Sequence, residues 1–327
     1  DLMIRHKRLY LVTGVQTCAL PIFSAVMLVV FLREESARRE HRLDILGTIT
    51  LTVAITLLLL AVLEGSEAWG LGDSRTLALF GGAVASLVVF FWQERRAPEP
   101  MLPLDLFRNR LIAVASATSA VIGTLLFTAS AYVPMFAQGV LGGTAIDAGI
   151  TLAPVSIGWP VASTLAGRLL LRVGYRPLIV VGSVVALSGA LMIAMLITGT
   201  GLGFMSTPSL VSVQTAVPWS RRGVATSSQQ FFRTIGGALA VALLGALLNA
   251  RLQAMLGPDV SPNAALDPEL RATLDPSDLT SLVSALLEGL QSVYLAFAAV
   301  ALVGCCVALL FPPGSAESHA HREEGRG

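Results

Sequence analysis

The segment at residues 146–176 most constrains what this chain can fold into, because an apolar run leads directly into a basic turn. A helix needs about 20 apolar residues to cross a bilayer, and the run has about that length. The turn carries three arginines, which are Arg168, Arg172 and Arg176. Gly167 and Gly174 allow tight backbone turns, and positive charge keeps a loop on the cytoplasmic side. Because a second apolar run follows at once, the pattern predicts two transmembrane helices joined by a cytoplasmic turn at 167–176.

Composition extends this interpretation to the whole chain. Hydrophobic residues occupy 54% of the 327 positions and charged residues only 13%, whereas soluble domains carry about 25% charged residues. We therefore expect an all-α integral membrane protein that is surrounded by the lipid bilayer. The four histidines and three cysteines do not cluster at metal-ligand spacing. Basic patches with interleaved aromatic residues are absent as well, so no metal, cofactor or nucleic-acid partner is expected.

Residues 1–22 look foreign to the rest of the chain. The run LVTGVQTCALPI resembles translated sequencing-adaptor sequence, and Lys7 is the only lysine among 22 basic residues. A genuine amphipathic start or a signal peptide is the alternative, but polar residues interrupt the apolar core that a signal peptide needs. The next apolar run, at 23–32, covers only half a crossing. We therefore expect residues 23–43 to hold the end of a truncated helix and a cytoplasmic loop.

The remaining chain alternates between apolar runs and charged loops, and it predicts eight crossings after the half-helix. The expected segments are two transmembrane helices at 44–93, a cytoplasmic linker at 94–110, a transmembrane bundle at 111–312 and a cytoplasmic tail at 313–327. Fifteen arginines fall in the assigned inner segments and three in the outer loops. Because arginine and lysine accumulate in cytoplasmic loops, this bias supports the assigned orientation.

One part of the bundle leaves little room for its predicted crossings. Arg176 and Arg221 both look cytoplasmic, so residues 177–197 and 199–217 must each cross with almost no outer loop between them. We expect an internal deletion to have shortened the helix near 199–217, and a re-entrant hairpin is the alternative. Residues 249–289 are expected to form a long outer loop that contains a short interfacial helix.

Several sequence blocks follow one another in a specific order across residues 23–312. They are RLDILG, LEGSEAWG, PMLPLDLFRNR, YVPMFAQGVLGGTAIDAGITLAPV, GRLLLRVGYRP and SSQQFFRTIGGALAVALLGALL. Their order and spacing resemble the C-terminal part of the 14-helix drug:proton antiporters of the major facilitator superfamily, the EmrB/QacA type. Gly167, Gly174 and Arg176 match the signature loop of that superfamily, whereas Leu171 stands where an Asp is expected.

The resemblance implies a proton-coupled exporter of drugs or other amphipathic small molecules, and not an enzyme. Such a protein crosses the bacterial inner membrane many times, and its partners are a small-molecule substrate and protons. The resemblance also implies two inserted helices and a C-terminal bundle of six, preceded by an N-terminal bundle that is almost entirely missing here. A non-functional fragment and an exporter of a narrow substrate class are the alternatives. A membrane enzyme has less support, because clusters of His, Asp and Glu at the membrane faces are lacking.

Four polar residues are candidates for contact with substrate or protons. Arg233 lies within an apolar run, where charge is costly and usually functional, although a long Arg side chain can also snorkel to the interface. Asp147 could take part in proton coupling, but the N-terminus of a helix also favours an acid through capping. Gln138 and Tyr132, on either side of Pro134, could contact substrate or anchor the helix at the interface.

The resemblance assigns a gating role to the basic turn, whose candidate residues are Gly167, Arg168, Arg172, Gly174 and Arg176. Other small and polar residues within the apolar runs have a structural explanation. Gln229 and Gln230 are expected to form hydrogen bonds between helices. Gly236, Gly237 and Gly245 are expected to mark positions where helices pack closely.

Overall fold

The computed structural model describes residues 26–27, 30–31, 44–67, 70, 72–187, 191–257 and 275–312. Within these residues it contains eight helices of at least 13 residues and no β-strand. In chain order the helices are α1 (Ile45–Glu67), α2 (Ser74–Glu94), α3 (Arg110–Met135), α4 (Ala145–Val173), α5 (Tyr175–Leu187), α6 (Leu191–Thr215), α7 (Arg222–Leu256) and α8 (Pro276–Leu309). Seven of them are long and apolar enough to cross a membrane, and α5 is a shorter apolar helix. The expected all-α membrane fold is confirmed.

The chain divides into two compact units, at residues 1–42 and 43–327. The first unit contributes only residues 26–27 and 30–31 to the described part, and these are helical. The segments predicted at 1–22 and 313–327 therefore lie outside the described residues, as does most of the segment at 23–43. All eight helices belong to the second unit.

Helix α7 is a central element of the second unit. It packs closely against α3, and it also contacts α8 and α1, which pairs with α2. Helices α4 and α6 form another close pair, with α5 on the other side of α6 and α8 against α3 and α5. The core between these helices is apolar, and its largest fully buried side chains include Ile112, Ile122, Leu125, Ile179, Leu202 and Met205.

Glycines occupy the points where the helices cross most closely. A Cβ atom on Gly236 would lie 2.7 Å from the backbone oxygen of Ala120, and one on Gly237 would overlap the ring of Phe127. Small residues of this kind let helix backbones approach in a membrane, so the expectation for Gly236 and Gly237 is confirmed. Gly245 is less crowded, because a Cβ atom there would meet only a tyrosine hydroxyl at 3.3 Å.

The turn between α4 and α5 is tighter than the sequence predicted. Helix α4 continues through Gly167 to Val173, and only Gly174 leaves the helical conformation, with φ of 81°. The prediction of a turn over 167–176 is therefore wrong in its extent. The leucines at 169–171 are strong helix formers, and they offset the cost of about 1 kcal/mol that one helical glycine brings.

We expect Gly174→Ala to lower the free energy of unfolding by about 1–3 kcal/mol, because positive φ with extended ψ is strained for any residue with a side chain. Gly167→Ala is the matched control, since a Cβ atom there meets nothing closer than 3.8 Å and alanine favours the helix. Thermal unfolding of the detergent-solubilised protein checks both variants. Equal unfolding midpoints for the two variants would contradict the conformational explanation.

Most of the segment at 199–217 belongs to a single helix, α6. Helix α5 has 13 residues, which corresponds to about 20 Å, whereas α6 runs unbroken over Leu191–Thr215. The glycines of α6 do not interrupt this helix, because they lie where α6 packs against neighbouring helices. A Cβ atom on Gly199, for example, would come within 2.7 Å of the Val155 backbone oxygen. A re-entrant hairpin over 199–217 is therefore not what the structure contains.

The outer connection before the last helix is shorter than the predicted loop at 249–289. Helix α7 has 35 residues and α8 has 34, so each is about 50 Å long, against a hydrocarbon core of about 30 Å. Their outer ends pack together through leucines, which include Leu244, Leu248, Leu252, Leu282, Leu286 and Leu290. This packing explains why the segment continues α7 and α8 instead of forming a separate interfacial helix.

The linker between α2 and α3 is held at two points. The backbone N–H of Leu102 donates to the buried carboxyl group of Glu94. Asp105, in the short 3-10 helix Leu104–Arg108, pairs with Arg221 at 2.8 Å. The hydrogen bond from Arg221 lowers the pKa of Asp105 below its usual value, so the pair is lost only when the pH falls through that lowered pKa. Both side chains are exposed, and the pair therefore contributes little to stability.

Candidate functional site

A cavity of about 210 Å³ lies between α3, α6 and α7. The side chains that line it are Ser119, Ile122, Ser206, Leu210, Thr226, Gln229, Gln230 and Arg233. Six of these eight are polar or charged, although all eight lie on helices that are long and apolar enough to cross a membrane. Polar groups within the membrane are costly and usually functional. The cavity is therefore the candidate site.

The spacing of polar residues along α7 explains why this helix supplies half of the lining. Its four lining residues stand at positions i, i+3, i+4 and i+7, and they are Thr226, Gln229, Gln230 and Arg233. Residues at these spacings lie on one face of a helix. Helix α3 adds Ser119 and Ile122, three positions apart, and α6 adds Ser206 and Leu210, four positions apart. Three helix faces thus meet at one cavity.

Gln229 is fixed at the wall of the cavity by a chain of hydrogen bonds between helices. Its Nε2 donates to the Ser209 hydroxyl at 2.8 Å, and that hydroxyl donates to the Ala115 carbonyl at 3.1 Å. The expected interhelical role of Gln229 is confirmed by this chain. Its side chain is only 2% exposed, and its Oε1 atom has no hydrogen-bond partner within the described part of the chain. Gln229 thus joins α7 to α6 and α3 beside the cavity.

Arg233 carries the only formal charge among the lining side chains. Its guanidinium lies over the ring of Trp159 on α4, with 4.6 Å between the guanidinium carbon and the ring centroid. Among the described residues, no acidic side chain forms a salt bridge with it. Arg233 is eleven positions after the start of α7, about 16 Å along the helix axis. The charge is therefore held inside the bundle by an aromatic face and not by an acid.

Asp147 lies apart from the cavity and caps the start of α4. The backbone N–H of Thr144 donates to its carboxylate at 2.8 Å, and the Asp147 N–H donates to the Thr144 hydroxyl at 3.3 Å. This reciprocal arrangement is a capping box, which satisfies amide groups that the first helical turn leaves without partners. The structure therefore places Asp147 where the capping explanation expects it.

We expect Asp147→Ala to lower the thermal unfolding midpoint slightly, because both reciprocal hydrogen bonds are lost. Asp147→Asn keeps an acceptor oxygen but cannot bind a proton as a carboxylate does. The unfolding midpoint of Asp147→Asn is expected to stay closer to that of the parent chain, since the capping role needs an acceptor and not a charge. Thermal unfolding in detergent measures both variants. A midpoint of Asp147→Asn as low as that of Asp147→Ala would contradict the capping role.

Tyr132 and Gln138 are not among the residues that line the cavity. Tyr132 is only 4% exposed, and its hydroxyl donates to the Val241 carbonyl on α7 at 2.8 Å. It packs in the apolar cluster at the outer ends of α7 and α8. Gln138 is half-buried in the π-helical turn Phe136–Val140, which extends α3. Both residues thus lie at the outer end of α3, away from Arg233.

The candidate gating residues gather at the cytoplasmic end of α4 and α5. Arg168 and Arg172 are exposed on the last two turns of α4, and Arg176 is half-buried in the first turn of α5. Tyr175, the first residue of α5, is fully buried. Its hydroxyl forms a hydrogen bond with Thr215 on α6 at 2.9 Å. The turn and this hydrogen bond therefore hold the ends of α4, α5 and α6 next to one another.

Sequence reasoning identified Arg233 and the two glutamines but missed other members of the site. Ser119, Ser206, Thr226 and the partner Trp159 were not singled out. A signal was present on α7, where polar residues recur at helical spacing within an apolar run. No comparable signal marks Trp159, because its contact with Arg233 depends on the packing of two distant helices. In the part of the chain that the structure describes, no group of His, Cys, Asp and Glu could hold a metal ion.

Comparison with known proteins finds a match between residues 18–241 and the family model described as Major Facilitator Superfamily. The multidrug transporter protein MdtP of Bacillus subtilis is 32% identical over 216 residues, which cover 62% of this chain and 40% of MdtP. The multidrug resistance protein Stp of Mycobacterium tuberculosis is 32% identical over 233 residues, which cover 66% of this chain and 42% of Stp.

A tetracycline resistance determinant of Streptomyces rimosus is 32% identical over 219 residues, which cover 62% of each protein. The matched region therefore spans between 40% and 62% of the length of these three relatives. The family match begins at residue 18, so it includes only the last residues of the segment predicted to be foreign.

Proposed function

This chain belongs to the major facilitator superfamily, and we propose that it is the C-terminal portion of a 14-helix proton-coupled exporter of drugs or other amphipathic small molecules. It is a multi-pass bacterial membrane protein whose relatives include multidrug efflux proteins. Transport by this superfamily is not an enzymatic reaction, and we therefore infer a transporter and not an enzyme. The proposed partners are a small-molecule substrate, protons, the lipid bilayer and an N-terminal bundle.

The observation that carries this proposal is the polar cavity that Arg233 lines within an apolar bundle. Secondary transporters of this kind bind their substrates near the membrane midplane, where two bundles meet. A cavity between α3, α6 and α7 that is lined by six polar or charged residues among eight fits half of such a site. The intramembrane polar groups are spread over three helices, which favours a solute cavity over the ring of ligands that an ion channel uses.

The order of the helices supports the proposed 14-helix architecture. Two helices that pair with each other, α1 and α2, precede a bundle of six that consists of α3 to α8. We assign α1 and α2 to the inserted helices at 44–93, the linker to 94–110 and the other six helices to the C-terminal bundle at 111–312. We also propose an internal deletion between Arg176 and Arg221, because two crossings with almost no outer loop must fit between these residues.

The basic turn is proposed to act in gating. Its three arginines end α4 and begin α5, next to a backbone position that only glycine adopts without strain, Gly174. Because Gly174 alone separates α4 from α5, the two helices can move together as one rigid body. In this proposal Gly167 is a helical position, while Arg168, Arg172 and Arg176 provide the contacts that change between states.

The first experiment is long-read sequencing of the source locus, followed by transport by its intact product. The reading frame is expected to continue upstream into about six more helices and to contain extra residues between Arg176 and Arg221. The intact protein in everted vesicles should then move protons when amphipathic cations, acids or neutral compounds are added. If the locus encodes only this chain, or if no compound class drives proton movement, the proposed function is wrong.

Two alternatives are decided by the same experiment. If the intact protein exports one compound class only, it is an exporter with a narrow range of substrates. If the intact product transports and the 327-residue chain alone does not, the chain as given is a non-functional fragment. Half of an alternating-access cavity cannot open to each side in turn, so the second result is expected for this chain alone.

A further inference from the structure

We propose that the cavity between α3, α6 and α7 binds the acidic head group of an amphipathic molecule, a carboxylate or a similar planar oxyanion, through the guanidinium of Arg233. This inference rests on the proposed transport function and names the class of substrate for that site. It selects against cationic amphipaths, which would face a positive charge in the cavity.

The charge of the lining is the first argument. Arg233 is the one charged side chain among the eight residues that line the cavity, and none of the eight is acidic. Removing a guanidinium from water without an opposite charge is costly, and that cost falls when an anion is bound beside it. No acid within the described residues forms a salt bridge with Arg233. An anionic ligand can supply the missing charge, whereas a cation would add repulsion.

The orientation of Arg233 is the second argument. Trp159 occupies one face of the guanidinium, since the guanidinium carbon lies 4.6 Å from the ring centroid. A cation–π contact of this kind uses the face of the planar group and leaves the N–H donors along its edge. These edge donors match the two oxygens of a carboxylate in a paired, planar arrangement. Trp159 is therefore a positioning residue for the binding group.

The size of the cavity limits what enters it. An engineered cavity of about 150 Å³ binds benzene, and sites for drug-sized ligands measure about 300–1,000 Å³. A volume of about 210 Å³ therefore suits one or two fused rings that carry an acidic group, and not a whole drug molecule. Ile122 and Leu210 supply apolar contact for such rings, and the rest of an amphipath would lie outside this cavity.

The test compares three ligands of one shape that differ in charge: 2-naphthoate, 2-naphthamide and 2-naphthylmethylamine. Binding of each radiolabelled compound to the 327-residue chain in phosphatidylcholine nanodiscs is measured by equilibrium dialysis, and empty nanodiscs correct for partition into lipid. We expect 2-naphthoate to bind about 10- to 100-fold more tightly than the other two, the range for a charge-assisted hydrogen bond. Arg233→Gln should remove this preference and leave weak binding of the amide unchanged.

Two further variants make the result specific. Arg233→Lys keeps the charge but not the planar fork, so it should retain only part of the preference for the acid. Arg251→Gln is the matched control, because Arg251 is exposed on the same helix and does not line the cavity. Its ligand preference should equal that of the parent chain. Arg233→Lys also remains informative if Arg233→Gln does not fold.

The proposed acidic substrate class and the proposed transport function are contradicted by different results. Equal or tighter binding of the amine, or a preference for the acid that survives in Arg233→Gln, overturns the acidic substrate class and leaves the transport proposal in place. Failure of all three compounds to bind also overturns the substrate class. The transport proposal fails if the locus encodes only this chain, or if its intact product drives no proton movement with any class of compound.

Discussion

Gly123→Ala is expected to destabilise this bundle more than any other single methyl group that could be added to it. A Cβ atom at position 123 would overlap the backbone carbonyl of Arg233, where α3 crosses α7. Backbone atoms cannot move away as the end of a side chain can, so the two helices must separate. Overpacking typically costs about 1–3 kcal/mol and occasionally more, and we expect about 3 kcal/mol or more here. The gain in helix propensity from alanine, about 1 kcal/mol, is too small to offset this.

Gly149→Ala is the matched control for Gly123→Ala. Both glycines lie inside transmembrane helices, but a Cβ atom on Gly149 would meet nothing within 4 Å. Its unfolding midpoint should be unchanged or slightly higher, because alanine is the better helix former. Thermal unfolding in detergent, followed by fluorescence-detected gel filtration, separates the two variants. A Gly123→Ala midpoint equal to that of Gly149→Ala would mean that α3 and α7 do not cross as closely as the structure has them.

Most of the fold was predictable from local signals, because membrane spans depend on composition along the chain. The apolar runs and the arginine bias predict eight crossings, and the structure contains eight helices at these runs, seven of them long enough to cross a membrane. The capping role of Asp147 was also predictable, since it depends on residues only three positions apart. In contrast, the helical course of α6 past residue 198 depends on glycines such as Gly199 that contact other helices. From the sequence alone these glycines look like turn residues, so the helix boundary predicted near residue 198 was wrong.

The same distinction applies to the candidate site. Arg233 was predictable because a charge within an apolar run stands out in the sequence. Its partner Trp159 is 74 positions earlier and looks like one more apolar residue of α4. Tyr132 misled the sequence analysis in the opposite direction. An amphipathic residue near a helix end looks as if it could contact a ligand. The structure instead uses its hydroxyl for a hydrogen bond to Val241 within the bundle.

Arg233→Gln is expected to reduce export by the intact transporter at least about 10-fold, which corresponds to about 1.4 kcal/mol of lost binding to the transported compound. The glutamine keeps hydrogen-bond donors but neither the charge nor the planar fork that a carboxylate needs. Trp159→Leu should cause a smaller loss, because a cation–π contact contributes about 0.5–2 kcal/mol. Initial export rates in everted vesicles, normalised to the amount of protein in the membrane, measure both effects.

The double variant distinguishes a ligand-binding Arg233 from one that merely extends to the membrane interface. If Trp159 acts by orienting Arg233, then Trp159→Leu should have little further effect once Arg233 is glutamine, so the two losses will not add. Residues that act independently would instead give additive losses in free energy. Arg251→Gln, on the exposed side of the same helix, should export at the parental rate. Normal export by Arg233→Gln would leave the snorkelling explanation as the better one, because an interface anchor can lose its charge without affecting a substrate that it never contacts.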